Sequence, residues 1–222
     1  MILSWAAGRH GVAGYMLDEN AEKRSQPRLL QYVRDVVEGV QPGGKVHLMA
    51  HSMGNRLMFD TLKDLHNMDS ALYQGRLGQV ISCAPDVDAQ VLDGLAPLAC
   101  EMADHVTLYC SQGDLALKVS AFLHGGARAG QQGIDVAGVD QIHVPQGWWG
   151  DELLGHSYYG AKQCVLYDIG HLLRKGPSLL HAQRSHLEEA TAEERERGLP
   201  ALKLVSHSEP GQCSRCPLFI AN

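Results

Sequence analysis

The sequence predicts an α/β fold, a mostly parallel sheet flanked by helices. Two patterns carry this expectation. Short apolar runs of strand length alternate along the chain with segments whose apolar residues recur at helical spacing. At Lys45–Asn55 a buried-strand pattern, Val46 to Ala50, runs into Ser52-Met53-Gly54, and Leu57, Met58, Leu62 and Leu65 follow at helical spacing. A third pattern locates a site on this frame. Polar residues follow three of the predicted strands, where an open parallel sheet binds its ligands.

Size and composition set the outer limits. The 222 residues suffice for one domain with a sizeable core. The hydrophobic fraction is 45% and the charged fraction 20%, as in ordinary globular chains. A formal net charge of -6 argues against a phosphate-binding surface, so no nucleic-acid partner is expected. No apolar run is long enough for a transmembrane segment. Met1-Ile2-Leu3-Ser4-Trp5 lacks the basic start and apolar length of a signal peptide. A cytoplasmic chain is expected if Met1 is the true start, and an exported one if a signal precedes it. Cys83, Cys100, Cys110 and Cys164 sit mostly in apolar company and read as small buried hydrophobes. Cys213 and Cys216 have metal-ligand spacing, with His207 as a third candidate. A zinc site needs about four ligands, so no metal is expected there.

Taken in order, Ile2–Trp5 reads as a strand end and Gly8 to Gly14 as a loop. Tyr15–Arg24 is polar, with room for a helical turn or two. Ser25 looks like an N-cap with Pro27 in the first turn. Leu29, Leu30, Val33, Val36, Val37 and Val40 then repeat at helical spacing until Pro42-Gly43-Gly44. The helix behind Gly54 is expected to fade near Asn67. Gln79–Ala84 is the next strand and ends at Pro85-Asp86-Val87-Asp88. A helix over Ala89–Met102 precedes the strand Val106–Ser111, which ends at Gln112-Gly113-Asp114. Ala116–His124 suits a helix, and the glycine-rich Gly125 to Gly138, which contains Arg128, reads as a surface loop. Gln141–Val144 is a short strand, Trp148 to Gly155 a loop, and His156 to about Arg174 the last helix. Residues 1–176 are expected to form the folded domain. Residues 177–222 are expected to form a charged tail, densest over Ser185–Arg197, as a solvated helix or a flexible segment.

The strand–turn–helix around Ser52 is the context of a nucleophile elbow. Small residues at Ala50 and Gly54, two before and two after the serine, allow strand and helix to approach. Alanine stands where the common pattern has glycine. A serine hydroxyl is a poor nucleophile until a base takes its proton. Imidazole can take that proton and return it to the leaving group. A buried carboxylate fixes the imidazole tautomer and stabilises its charged form. Among the twelve histidines, His156 alone falls between the final strand and the final helix. His51 adjoins Ser52 and is expected to point away from it. His47, His105 and His143 lie in or beside strands, His124 follows Asp114 too closely, and His171 falls inside the last helix. His181, His186 and His207 lie in the tail. Asp114 is the expected acid, and Asp86 or Asp88, one strand earlier, is the alternative. The order serine, acid, histidine is that of the α/β-hydrolases.

On these motifs the sequence resembles the α/β-hydrolase family catalogued as a domain of unknown function, DUF900, whose members are regarded as serine esterases. The matching residues are Ser4-Trp5, Tyr15, Asp18, Ala21, Val46 to Arg56, Ala84 to Asp88, Thr107 to Ser111, Asp114 to Leu117, Arg128 to Gly130 and Gly155 to Tyr159. The resemblance spans Ile2–Leu173. It implies an α/β-hydrolase fold with Ser52 as nucleophile, Asp114 and His156 completing a triad, and a small ester as substrate. Neither a metal nor an organic cofactor is required. Family members carry an earlier strand and a His-Gly-type loop that supplies one oxyanion amide, and the backbone N–H of Met53 would supply the other. This chain starts at the later strand, so a truncated domain lacking the first strands and the second donor is expected. The alternative reading is a non-catalytic, hydrolase-like binding protein or an inactive fragment.

Overall fold

The structure is a computed structural model that describes residues 11–145, 155–175, 187–189, 191–196 and 202–204. Helix α1 (Gly11–Gly39) leads into strand β1 (Val46–His51), then α2 (Gly54–Tyr73), β2 (Leu77–Cys83), α3 (Ala89–Met102) and β3 (Ala103–Cys110). Helices α4 (Leu115–His124) and α5 (Ala129–Gln132) precede β4 (Val139–His143), which is followed by α6 (Tyr158–Ala161) and α7 (Gln163–Lys175). Three short elements follow: β5 (Leu187–Glu189), α8 (Ala192–Glu196) and β6 (Leu202–Leu204). The sheet order is β1-β2-β3-β4-β6-β5. Strands β1 to β4 and β6 run parallel, and β5 pairs antiparallel with β6. None of the described helices is long and apolar enough to cross a membrane.

Strand β2 sits between β1 and β3 and is buried along its whole length. That is the pattern of a parallel strand covered on both faces. Two cores flank the sheet. One packs Val33 and Val37 of α1, Met58, Phe59, Leu62 and Leu65 of α2, and Leu92, Ala96 and Ala99 of α3 against Val80, Val106 and Leu108. The other packs Val165, Ile169 and Leu172 of α7, with Tyr158, against Ile81, Cys83, Tyr109 and Ile142. Neighbouring strand residues such as Leu108 and Tyr109 thus serve opposite faces, as a period of two requires.

The β1–β2 register contains an irregularity. Val46 pairs with Leu77 and Leu48 with Val80, so β2 carries one extra residue opposite His47. The His47 ring fills the gap, and its Nδ1 accepts the Gln79 backbone N–H at 2.9 Å. Gly78 lies against that ring. A Cβ there would meet His47 Cε1 at 2.6 Å and Nδ1 at 2.7 Å.

Several expected boundaries move. The segment 11–39 is one helix, with no start at Ser25. The Ser25 hydroxyl donates to Ala21 O at 2.8 Å, so it bonds back one turn inside the helix instead of capping one. Pro27 stands within α1. Burial of Val33 and Val37 and a bond from Gln26 Nε2 to Asp64 Oδ2 at 2.6 Å hold the helix on α2 despite the missing amide. Helix α2 continues past Asn67 to Tyr73, with a break at Asp69 (φ -167°, ψ 84°), whose Oδ1 accepts from Leu72 N at 3.3 Å. The stretch 125–138 is not a surface loop. It carries α5, and Arg128, Ala129 and Gly130 are buried. The expected strand Ile2–Trp5, Trp148 to Leu154 of the expected loop, His181, His186, His207, Cys213 and Cys216 lie outside the described residues.

Candidate active site

Ser52 directly follows β1 and has a left-handed backbone conformation, φ 54°. A non-glycine residue there carries strain of about 1–3 kcal/mol, which persists only where the surroundings impose it. Ser52 N–H donates to Cys83 O at 3.1 Å, which ties the turn to the end of β2. Its carbonyl accepts three donors, Asn55 N at 3.1 Å, Asp86 N at 3.2 Å and Asn55 Nδ2 at 3.0 Å. Met53 caps α2. The first backbone bonds at the head of α2 come from Asn55 and Arg56, so Met53 N–H stands ahead of them. That end of a 20-residue helix favours developing negative charge. Ala84, one residue past β2, is also left-handed (φ 44°). Its N–H donates to Tyr109 O at 3.0 Å.

Asp114 follows β3 as the N-cap of α4 and is completely buried. Its two carboxylate oxygens have separate partners. Oδ1 accepts Leu117 N at 3.0 Å and caps the helix, while Oδ2 lies 2.7 Å from His156 Nδ1. A carboxylate only accepts, so Nδ1–H donates and Nε2 of the neutral ring is left as the acceptor. Such an imidazole can take a proton from a hydroxyl and share the resulting charge with the carboxylate behind it.

The loop carrying His156 is anchored on both sides. Two residues on, the buried Tyr158 hydroxyl donates to Tyr109 O at 3.0 Å, and burial pushes its pKa well above the usual phenol value. On the other side His51 Nε2–H donates to His156 O at 2.9 Å. The His51 ring lies 4.6 Å from the His156 ring and 4.3 Å from Tyr159. His51 therefore does not point away from the site, as the sequence suggested; it packs under the imidazole. Among the described residues no hydrogen bond joins Ser52 Oγ to the His156 ring.

The alternative acids face other partners. Asp86 is buried and takes Arg56 Nη2 at 3.1 Å, Ser120 Oγ at 2.5 Å and Arg128 Nε at 3.5 Å. Asp88 caps α3, accepting Gln90 N at 3.0 Å and Val91 N at 3.3 Å. Arg56 also donates to Asp86 O at 2.6 Å and pairs with Glu19 of α1. Burial raises the Glu19 pKa, but hydrogen bonds and charge from Arg56 and His124 outweigh it and hold the carboxyl below its usual range. Two other histidines set aside by the sequence are engaged elsewhere. His105 lies 3.2 Å from Asp140, and His124 lies 2.9 Å from Glu19.

Sequence reasoning missed Asn55, His51 and Tyr158 as supports of the site. The available signal was their spacing, three residues after the serine, one before it and two after the histidine. No curated protein and no solved structure matches the chain. A family model described as an alpha/beta hydrolase of unknown function (DUF900) matches residues 1–175, more than half of the chain, and the chain belongs to that family.

Proposed function

We propose that the protein is a serine hydrolase that cleaves carboxylic esters through an acyl-enzyme. The observation that carries this reading is the 2.7 Å contact between His156 Nδ1 and the buried Asp114 carboxylate. It stands at the end of the sheet where the Ser52 turn is also found. In the proposed reaction Ser52 Oγ attacks the acyl carbon as its proton passes to His156 Nε2. Asp114 keeps Nδ1–H directed toward itself and stabilises the imidazolium. The oxyanion of the tetrahedral intermediate faces Met53 N–H at the head of α2. Collapse expels the alcohol, protonated by His156. Water then repeats the sequence, with His156 taking its proton, and releases the carboxylic acid and free Ser52. Esters are preferred over thioesters and amides because the sequence resembles serine esterases.

The test is labelling by a fluorophosphonate probe together with hydrolysis of short p-nitrophenyl esters. Ser52→Ala should abolish labelling and lower turnover roughly 10⁶-fold, as removal of a triad nucleophile does. Retention of a tenth of the wild-type rate would mean that Ser52 is not the nucleophile. A wild-type chain that neither labels nor turns over would favour a binding role instead.

A further inference from the structure

The geometry points to Asn55 as the positioning residue that holds the Ser52 turn in its left-handed shape. The inference rests on the reading of Ser52 as nucleophile given above. Asn55 is completely buried near the start of α2. Its Nδ2 donates to Ser52 O at 3.0 Å and to Cys83 O at 3.1 Å, which uses both amide hydrogens. Its Oδ1 accepts the Ser82 hydroxyl at 2.7 Å. The two carbonyls can only accept and the hydroxyl can donate, so the orientation of the amide is fixed.

These bonds close a ring around the nucleophile. Ser52 N–H donates to Cys83 O, Asn55 Nδ2 donates to the same Cys83 O, and Nδ2 also donates to Ser52 O. Both ends of the Ser52 residue are thereby tied to one side chain and to the end of β2. Asp86 N–H adds a further tie to the Ser52 carbonyl. Without the amide, Ser52 is released toward negative φ, which a serine prefers. That rotation swings Cβ and Oγ off the line of attack. Displacement by about 1 Å can lower a rate roughly 10²-fold. Few side chains can replace the amide. Aspartate would set a carboxylate against two carbonyls, alanine offers no donor, and glutamine is one methylene longer in a filled site.

The experiment uses the full chain with Asn55→Ala, Asn55→Asp and Ser82→Ala, each checked for cooperative unfolding. Two readouts are taken, the fluorophosphonate labelling rate per folded molecule and amide hydrogen exchange at Ser52 and Asp86. Asn55→Ala should slow labelling roughly 10²-fold, with the loss in kcat and not in KM for a p-nitrophenyl ester. Exchange at the Ser52 and Asp86 amides should speed up while Val80 and Leu108 stay protected. The pH profile should keep its midpoint, because the His156–Asp114 pair is untouched. Asn55→Asp should be impaired at least as much. Ser82→Ala should show a smaller loss in the same direction, and it carries the test if the Asn55 variants do not fold. A folded variant with a lower unfolding midpoint but wild-type labelling and wild-type exchange would overturn the inference and leave Asn55 purely structural. If the wild type does not label, the serine reading fails by itself, and the exchange rates still decide whether Asn55 holds the turn.

Discussion

Asp114 combines two tasks that are usually weighed against each other for a loop carboxylate, helix cap and partner of a histidine. One oxygen serves α4 and the other serves His156. Two substitutions should separate them. Asp114→Asn keeps a capping oxygen but turns an amide toward Nδ1 and favours the wrong imidazole tautomer. Ester turnover should fall roughly 10⁴-fold with little change in stability. Asp114→Ala should lose both roles, adding a stability loss of about 1 kcal/mol from the missing cap. Steady-state kinetics with urea unfolding of both variants checks this, and an active Asp114→Asn enzyme would move the acid elsewhere. Asp114 follows a predicted strand by three residues, and Asp86 and Asp88 closely follow another, so Asp114 was legible as one of three candidate acids. The inward packing of His51 was not, because its partner is 105 residues away. A strand's alternation does not say which loop will come to lie over its last side chain.

Among the elements, the β1–β2 pair depends on one irregular rung. The Gln79 amide finds its acceptor in the His47 ring, and the ring fits because residue 78 has no Cβ. Gly78→Ala should push the ring out and leave the Gln79 N–H without that acceptor. The expected loss is about 1–3 kcal/mol, read from the urea midpoint with an unchanged slope. Full stability in that variant would mean that the strand re-pairs in regular register. Most elements were legible from periodicity, because apolar spacing reports burial directly. The failures include two places where glycine or proline was read as punctuation. Pro27 sits inside α1 because the packed face of the helix outweighs one missing bond. The stretch 125–138 is ordered because Gly130 docks on the end of β2. A Cβ there would meet Ala84 C and Pro85 N at 2.7 Å, an approach that only the folded partner makes visible.

Over the whole molecule, acidification should act through three groups. His47 is held below its usual value of 6.5, chiefly by desolvation, with Lys45 adding and Asp104 opposing. The unfolded chain therefore binds this proton more readily, and stability falls as pH drops below about 6.5. Glu19 is held below 4.5, so its contribution is present above that value and is lost as pH falls through the folded pKa. Glu22, raised chiefly by burial, gains stability as pH falls from its folded pKa toward 4.5, and so offsets part of the first decline. Urea midpoints between pH 7 and pH 5 should therefore decline. The decline should be smaller in His47→Asn, whose side-chain oxygen can accept the Gln79 amide without titrating. An identical decline in both proteins would remove His47 from the account. The α/β class and the parallel sheet were legible at this scale from the alternation of strand and helix patterns. The order of the strands was not, and neither were β5 and β6, three residues each within a charged stretch. Such short pairings depend on a neighbouring edge more than on their own side chains.

The irregular rung also has an evolutionary side. Histidine at 47 and glycine at 78 constrain each other, since the ring occupies the space a Cβ would need and supplies the acceptor the extra residue requires. Neither can drift alone without passing through a weakened sheet. Among relatives the two positions should covary, with side chains appearing at 78 only in lineages that have replaced the ring at 47 or deleted the extra residue.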